Sequence, residues 1–509
     1  MKKAGICYLV GAGPGDPGLL TLKGRSCLEK AGVVIYDHLA NPEFLEFAPE
    51  AAEKIYAGKR AGDHALRQDD IQALLVKNVR AGRVVVRLKG GDPFLFGRGG
   101  EEAEALAAAG CRFEIVPGVS SAIAGPAYAG IPVTHRSHNA AVTIFTGHED
   151  PDKPESQIDY DAIAAIPGTK VMLMGVERLE SHCAALQKAG MPGSTPVALV
   201  RWATTPRQET LGGTLADIAA KARAADFQAP AVVILGEVVA FKDSLAWFEN
   251  KPLFGKRIAV TRTRQQAGEL IDQLRDLGAD AYELPTIRIE PPADKKAFYE
   301  LVSDAHIYDW IIFTSPNGVD TFFRAFFEIF SDVREIGGVR IAAIGPATAA
   351  RVKAHHLAVD LQPEKFVAEE VLKALQKETS VENLKFLLPR AEGAREMLAT
   401  ELTKLGAIVD EAIAYRTVPE TEGNSAGIRR FKEEGADIVT FTSSSTAENF
   451  AALKLPLPET LRTASIGPVT SATLMTLGFS VDIEARSHDI PGLVQAILSS
   501  GSGGVTKNG

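Results

Sequence analysis

Residues 6–17 read Ile-Cys-Tyr-Leu-Val-Gly-Ala-Gly-Pro-Gly-Asp-Pro, and this stretch sets the fold class. The apolar run up to Val10 predicts a buried strand, and a glycine-rich turn after a first strand is where α/β proteins bind nucleotide-like ligands. A dinucleotide fingerprint requires a third glycine where this chain has Asp16. A carboxylate repels a pyrophosphate, and Pro14 and Pro17 remove two N–H donors from the loop. The loop therefore predicts close backbone approach to a ligand without a polyphosphate.

The composition is typical of a soluble, cytoplasmic globular protein. The chain has 509 residues with 46% hydrophobic and 23% charged side chains, enough for several α/β domains. Its net charge of −9 argues against a nucleic-acid partner. No apolar run approaches the ~18 residues of a membrane helix. Four scattered cysteines without a C-x-x-C pair predict neither a disulfide framework nor a metal site, and they fit a reducing compartment.

Strand and helix signals alternate through the first 245 residues, which predicts an α/β architecture. A turn-rich run before a new strand places a boundary near Ser137, so we expect lobes at 1–136 and 137–245. The first 136 residues carry 17 Lys and Arg against 15 Asp and Glu, a net of +2 in an acidic chain. An anion site is therefore expected in this part. A linker with Pro252 and Gly255 follows at 246–255.

The remaining chain contains an internal repeat at an offset of 128 residues. Arg262 aligns with Arg390, and an Ile-Gly-Pro landmark recurs at an offset shortened by six. Landmarks in the same order predict two related α/β lobes with a cleft between them. The Gly/Ser-rich end from Ser499 is expected to fray, with a flexible tail at 501–509. The other aligned pieces are Leu277-Gly278-Ala279 with Leu405-Gly406-Ala407, and Phe313-Thr314-Ser315 with Phe441-Thr442-Ser443.

Four glycine loops together resemble those of the tetrapyrrole (precorrin) methylase family over about residues 4–245. They begin at Gly11, Gly90, Val116 and Gly130 and read GAGPGDP, GGDPFLFGRGGEE, VPGVSSA and GIPVTHR. Within the family they are most similar to the uroporphyrinogen-III C-methyltransferases. The resemblance implies a two-lobed fold that binds S-adenosylmethionine in its cleft and releases S-adenosylhomocysteine, as a homodimer. This methyl donor carries no phosphate, which agrees with the first loop.

The resemblance also implies which residues contact S-adenosylmethionine. Relatives often have glycine at the position of Ala203, so that contact involves the backbone or the methyl group. Met174 is equally compatible with a core position. The implied contacts are Pro14, Gly90, Gly91, Asp92, Leu95, Ser120, Ser121, Met174 and Ala203.

Asp37 and Lys59 match the acid/base pair of the family. Pyrrole carbons of uroporphyrinogen III attack the methyl group, and the cationic ring must then lose a proton to give precorrin-2. A carboxylate near the macrocycle can accept that proton and a lysine can return one elsewhere. The alternatives are a ribose-binding acid for Asp37 and a solvated surface lysine for Lys59.

The substrate carries eight carboxylates and needs cations to hold them. Basic residues cluster around the motifs, and the planar guanidinium suits carboxylates. Some of these residues must be ordinary surface charges, and Arg60, Arg98 and Arg136 are the favoured carboxylate ligands. The full set is Lys59, Arg60, His64, Arg87, Lys89, Arg98, His135 and Arg136.

Residues 256–500 resemble the uroporphyrinogen-III synthase family, whose two lobes are joined by a two-stranded connection. This implies lobe A at 256–286 plus 418–500, lobe B at 290–412, and closure of hydroxymethylbilane with inversion of ring D, without a cofactor. Hydroxyls that follow a strand and open a helix bind carboxylates well, although simple N-capping also explains them. Tyr415 matches a tyrosine that assists loss of the bilane hydroxyl, or else it is an interface tyrosine. The implied substrate contacts are Arg262, Thr314, Ser315, Thr442 and Ser443.

The sequence thus predicts a bifunctional enzyme of tetrapyrrole biosynthesis on the sirohaem or cobalamin branch. An NAD-dependent oxidoreductase is disfavoured by Asp16. A relative that methylates RNA or protein is disfavoured by the acidic balance and the fused second half. The remaining alternative is a different precorrin methylase fused to a non-catalytic, two-lobed ligand-binding sensor.

Overall fold

The computed structural model describes residues 5–58, 66–149, 157–261, 264–363, 368–394, 396–421 and 425–501. The chain divides into two compact units. The first contains the described residues up to Ile258, together with Leu270–Tyr282 and the last helix from Val494. The second contains the rest of the described chain. The predicted tail beyond Gly501 lies outside the described residues, whereas Ser499 and Ser500 belong to the last helix.

The first lobe of unit one is a parallel five-stranded sheet in the order β3-β2-β4-β1-β5. Strand β1 lies between β4 and β5, so the loops after these three strands are neighbours at one edge of the sheet. Buried β-branched side chains dominate the strands, as expected for a sheet covered on both faces. The elements are β1 (Ile6–Gly11), α1 (Leu22–Leu28), β2 (Val33–Tyr36), β3 (Glu53–Tyr56), α2 (Gln68–Arg80), β4 (Val84–Lys89), α3 (Gly99–Ala108), β5 (Phe113–Val116) and α4 (Ser121–Tyr128).

The second lobe of unit one is a mixed sheet in the order β6-β7-β10-β8-β9. Strands β6 and β7 are parallel, while β10 runs antiparallel to both of its neighbours. Its first strand begins at Val142, shortly after the boundary that the sequence places near Ser137. The elements are β6 (Val142–Thr146), α5 (Tyr160–Ala165), β7 (Thr169–Leu173), α6 (Leu179–Lys188), β8 (Pro196–Arg201), β9 (Glu209–Thr214), α7 (Ile218–Ala224) and β10 (Ala231–Leu235).

The rest of the chain forms two further sheets, in the orders β12-β11-β18-β19-β20 and β13-β17-β16-β14-β15. The elements are β11 (Arg257–Val260), α8 (Arg264–Asp276), β12 (Asp280–Glu283), β13 (Ile287–Glu290), α9 (Lys295–Ser303), β14 (Trp310–Phe313), α10 (Pro316–Ile329), β15 (Arg340–Ala343), α11 (Pro346–Ala354), α12 (Ala368–Glu378), β16 (Lys385–Ala391), α13 (Met397–Lys404), β17 (Ile408–Pro419), α14 (Ala426–Glu434), β18 (Ile438–Phe441), α15 (Ser444–Ala452), β19 (Arg462–Ser465), α16 (Pro468–Thr476), β20 (Ile483–Glu484) and α17 (Ile490–Gly501).

The internal repeat is visible in the element bounds. Strand β14 ends at Phe313 and β18 ends at Phe441, at the offset of 128 that the sequence shows. The two repeats are exchanged between the sheets. The first repeat contributes β11 and β12 to one sheet and β14 and β15 to the other, and the second repeat does the reverse with β16 to β19. The antiparallel pairing of β13 with β17 lies within the segment that links the two sheets.

Within the described residues, no helix has both the length and the apolar character that a bilayer crossing requires. The same part of the chain holds no cluster of side chains suited to a metal ion.

Acid is expected to destabilise the second lobe of unit one through His182. This residue is buried in α6, with Nδ1 2.7 Å from the Tyr160 hydroxyl, and burial lowers the pKa of its imidazole. The unfolded chain therefore binds more protons than the folded one between this lowered value and the ordinary histidine pKa of about 6.5. The free energy of unfolding should fall as the pH falls through that window.

Calorimetric melting of the full chain at pH 7 and pH 5.5 tests this expectation against the His182→Asn variant. The wild-type chain should lose more of its Tm on acidification than the variant does. Equal losses would show that His182 does not carry the effect.

Candidate active sites

Three glycines from neighbouring loops touch at the carboxyl edge of the first sheet. A Cβ on Gly118 would lie 2.4 Å from the Gly91 carbonyl oxygen and 2.7 Å from the Gly11 Cα. The loops after β1 and β4 are also joined by backbone hydrogen bonds, with the N–H of Gly91 2.7 Å from the carbonyl oxygen of Gly13. Only glycine allows this approach, and the result is a floor made of backbone.

Gly91 differs from the other two glycines because it faces open space. It has a φ of +68°, and no atom lies within 4 Å of the position that its Cβ would occupy. A small ligand can therefore reach the backbone of this loop without a side chain between them. This cradle fits the glycine-rich S-adenosylmethionine contact that the sequence predicts at Gly90 and Gly91.

The side chain of Asp92 organises the loops. Its Oδ1 accepts hydrogen bonds from the N–H groups of Phe94 and Leu95, at 2.8 and 3.0 Å. Its Oδ2 accepts one from the N–H of Gly118, at 3.0 Å. The carboxylate of Asp92, a predicted ligand contact, thus holds the glycine floor together.

Asp16 joins the first loop to the second lobe. Its N–H donates to the Thr204 hydroxyl at 3.1 Å, and its Oδ2 accepts from the Tyr128 hydroxyl at 2.6 Å. Burial and this hydrogen bond raise the pKa of Tyr128 well above its usual range, which keeps the phenol protonated. The adjacent Pro14 is half-buried in the same loop.

The opposite wall comes from the ends of β7 and β8. Met174, directly after β7, is 49% exposed and has a φ of +57°. Trp202 and Thr204, after β8, also have positive φ values of 46° and 69°. Such conformations cost a non-glycine residue about 1–3 kcal/mol and cluster at functional sites. Between them Ala203 is buried with its methyl group against Gly125, so only its backbone is available to a ligand.

The other predicted contacts with the methyl donor lie where the two lobes meet. The hydroxyl of Ser120 caps α4 by accepting the N–H of Ala122 at 3.2 Å, and Ser121 beside it is half-buried. Leu95 packs against the core of the second lobe. The structure thus brings loops from both lobes together around Gly91.

Asp37 follows β2 on the same edge of the first sheet, and its side chain is 27% exposed. Its Oδ2 lies 3.3 Å from Nη2 of Arg87. Its Oδ1 is buried, and no group in the described part of the chain donates to it. A carboxylate held on one oxygen with the other unpartnered is suited to accept a proton from a substrate. Lys59, its predicted partner, lies outside the described residues.

Two of the basic residues that cluster around the motifs are buried counterions of an acidic side chain. The Arg87 and Lys89 side chains are 4% and 6% exposed, and both contact Oε1 of Glu102 at 3.1 Å. Burial and the charge of Arg87 lower the pKa of Lys89. Neither residue is among the favoured carboxylate ligands, and sequence reasoning did not identify Glu102 as their partner. An Arg-x-Lys pattern in a buried strand was the available signal, since such charges require a partner.

The favoured carboxylate ligands are only partly described. Arg98 begins α3 with a φ of +57° and forms a bidentate ion pair with the exposed Glu101, at 2.7 and 3.0 Å. This contact lowers the pKa of Glu101. Arg136 is exposed in the loop before β6. Arg60 and His64 lie outside the described residues.

The second unit places a hydroxyl site between β14 and α10. Ser315 caps α10, and its Oγ accepts the N–H of Gly318 at 3.1 Å. The same Oγ is 3.0 Å from the hydroxyl of Tyr415, which is 7% exposed in the core of that sheet. Two predicted residues from distant parts of the sequence therefore meet, and the half-buried Thr314 lies beside them.

The repeat produces an equivalent hydroxyl site between β18 and α15. Ser443 caps α15 through the N–H of Thr446 at 3.3 Å, and Thr442 precedes it, half-buried. In each sheet the next parallel strand also leads into a helix, at Gly345 or Gly467. Each sheet edge thus carries two neighbouring helix N-termini, which favour anionic groups.

Arg262 lies outside the described residues, and its repeat partner shows a structural role. Arg390 is 6% exposed and forms a close ion pair with Glu411 on the neighbouring strand. A second close hydrogen bond joins its guanidinium to the carbonyl of Ala394.

Comparison with known proteins gives two family matches. Residues 7–219 match the tetrapyrrole (corrin/porphyrin) methylases, and residues 268–495 match uroporphyrinogen-III synthase HemD. The porphyrin biosynthesis protein HemD of Ruminiclostridium josui is 34% identical over 502 residues, covering 98% of this chain and 99% of that protein. Both segments thus occur together in a relative of the same length.

Two further relatives are named as methyltransferases. The uroporphyrinogen-III C-methyltransferase of Bacillus subtilis is 41% identical over 365 residues, covering 72% of this chain and 74% of that protein. The S-adenosyl-L-methionine-dependent uroporphyrinogen III methyltransferase of Methanosarcina barkeri is 51% identical over 241 residues, covering 47% of this chain and 94% of that protein.

The glycine floor predicts the effect of a single added methyl group. Gly118→Ala places a Cβ inside the backbone of the neighbouring loops, so they must separate. We expect binding of S-adenosylhomocysteine, measured by titration calorimetry, to weaken at least tenfold, roughly 1.4 kcal/mol. Gly100→Ala in α3 is the control, because nothing lies within 4 Å of its Cβ position. Unchanged affinity in Gly118→Ala would contradict the role of the floor.

Proposed function

Because this chain belongs to the tetrapyrrole methylases in its first part and to the uroporphyrinogen-III synthases in its second, we propose that it performs both reactions. The second part closes hydroxymethylbilane to uroporphyrinogen III with inversion of ring D. The first part methylates that product at C-2 and C-7 to precorrin-2, with S-adenosylmethionine as the methyl donor. The observation that carries the proposal is the backbone cradle at Gly91 beside the half-free carboxylate of Asp37, in a chain whose full length matches a porphyrin-biosynthesis protein.

The cradle supplies position rather than chemistry. The backbone of the loops after β1, β4 and β5 binds the methyl donor, and the ends of β7 and β8 close over it at Met174 and Ala203. Holding the methyl donor and the substrate in the right geometry accelerates the transfer, because their translational and rotational freedom is already lost on binding. The substrate's pyrrole carbon then attacks the methyl group in line, and the donor leaves as S-adenosylhomocysteine.

The carboxylate of Asp37 accepts the proton that the methylated ring must lose. Its Oδ2 is oriented by Arg87, and its buried Oδ1 has no hydrogen-bond donor within the described residues. Lys59 returns a proton elsewhere on the macrocycle. Arg60, Arg98 and Arg136 hold the substrate's carboxylates.

In the second part, the helix N-termini at Thr314, Ser315, Thr442 and Ser443, with Arg262, hold the bilane's carboxylates. Tyr415 assists loss of the bilane hydroxyl from its place beside Ser315. This reaction proceeds without a cofactor. The division of labour places the methylase at 1–245, a linker at 246–255 and the synthase at 256–500.

The proposal includes a cytoplasmic homodimer formed through the methylase part. The four cysteines, all within the described residues, are unpaired. The exposed side chains of Ile123, Leu245 and Trp247 offer apolar surface for a second copy.

One incubation tests both activities. The full chain with hydroxymethylbilane and S-adenosylmethionine should yield dimethylated type III product, followed by chromatography and mass spectrometry. The Asp37→Asn variant should accumulate uroporphyrinogen III instead, with methylation slowed about a hundredfold or more because the proton acceptor is lost. A type I macrocycle from the wild-type chain would contradict the synthase activity, and unmethylated type III product would contradict the methylase activity.

Removal of the Tyr415 hydroxyl should slow cyclisation about tenfold in kcat while leaving methylation of added uroporphyrinogen III unchanged. Tyr308→Phe is the matched control, because Tyr308 is equally buried in the same core but donates its hydroxyl to Asp410, at 2.8 Å. Equal kcat values in Tyr415→Phe and the wild-type chain would make Tyr415 a packing residue.

A further inference from the structure

A chain of buried ion pairs lies behind Asp37. Glu102 in α3 is fully buried, and its Oε1 contacts Nε of Arg87 at 3.1 Å. Nη2 of Arg87 contacts Oδ2 of Asp37 at 3.3 Å. A helix residue that the reaction never touches is thus connected, through a single guanidinium, to the carboxylate at the sheet edge.

The guanidinium of Arg87 has no freedom to turn. Its Nε is held by Glu102, and its Nη1 donates to the carbonyl oxygens of Ile35 and Leu88, at 3.4 and 3.2 Å. Only Nη2 faces Asp37. Because the group is planar and all three nitrogens are committed, its orientation fixes the direction of the carboxylate that it contacts.

We propose that Glu102 is a positioning residue for methylation, which orients and charge-balances the Asp37 carboxylate through Arg87. The inference rests on the proposed function, because it gives Asp37 the task of accepting the proton from the methylated ring. It adds a requirement that the reaction itself does not show, namely a buried acid on the helix that packs against β4.

The second part of the proposal concerns the charges of the cluster around Glu102. Nζ of Lys89 also contacts Oε1 of Glu102, at 3.1 Å, so two cations face two carboxylates. Two other groups pack against this cluster: the amide of Gln68 from α2, 3.3 Å from Oε1, and the thiol of Cys7 from β1, whose pKa is raised by burial and by Glu102. Without Glu102, both cations face the Asp37 carboxylate alone, and their positive charge makes it a weaker proton acceptor.

The experiment compares Glu102→Gln with Glu104→Gln in the full-length protein. Both substitutions lie in α3 and remove one negative charge, but Glu104 is exposed. Methylation of uroporphyrinogen III is followed from pH 5 to pH 9, alongside S-adenosylhomocysteine affinity and Tm. For Glu102→Gln we expect kcat to fall about tenfold to a hundredfold, an unchanged KM for S-adenosylmethionine, and an acid limb of the pH–rate profile displaced to lower pH.

Two further variants separate positioning from folding. Glu102→Asp retains the charge and should restore the position of the acid limb. The double variant Lys89→Gln with Glu102→Gln keeps the cluster neutral, should also restore the acid limb, and serves if the single variant does not fold.

The outcomes distinguish this inference from the function on which it rests. A Glu102→Gln protein that loses Tm and kcat without a displaced acid limb has lost only structure, which overturns the positioning role. So does a profile that moves equally in Glu104→Gln. A wild-type chain that makes no methylated product overturns the proposed function together with the inference.

Discussion

The methylase part of this molecule depends on one steric constraint, the contact of three glycines where the loops after β1, β4 and β5 meet. No Cβ fits between Gly11 and Gly118, and the next loop approaches equally closely at the carbonyl of Gly91. Because β4, β1 and β5 are neighbouring parallel strands, their carboxyl ends bring these loops side by side, so the strand order β4-β1-β5 is a condition of the site. Once the loops touch, Asp92 holds them together and leaves Gly91 open toward a ligand.

Sequence reasoning predicted this loop well because its signals are local. The glycines, the two prolines and Asp16 lie within one short segment, and they excluded a pyrophosphate from steric and charge arguments alone. The structural role of Asp16 could not be predicted from local signals. Its partners Tyr128 and Thr204 are far away in sequence, and one of them belongs to the other lobe. Asp16, the residue that removed the nucleotide interpretation, also contacts the second lobe through Thr204.

The roles of the buried charges on β4 also could not be predicted from local sequence signals. Sequence reasoning counted Arg87 and Lys89 among the basic residues near the motifs but could not say what they contact. Arg87 and Lys89 lie two residues apart on β4, so both side chains point to the sheet face that α2 and α3 cover. On that face Glu102 is their counterion. Charge counts do not distinguish a cation that faces solvent from one that faces a buried acid. The alternation of side chains between the two faces of a strand does distinguish them, once the helix that covers one face is known.

In the repeated part of the chain, the offset of 128 residues predicts some structural features and not others. Landmarks at a constant offset predicted equivalent strand ends, and β14 and β18 end at equivalent residues. The exchange of strands between sheets leaves every offset unchanged, so the repeat alone does not predict it; it was the family resemblance that implied a lobe made of 256–286 and 418–500. As a consequence of the exchange, each sheet receives its hydroxyl loop from one repeat and other central strands from the second repeat.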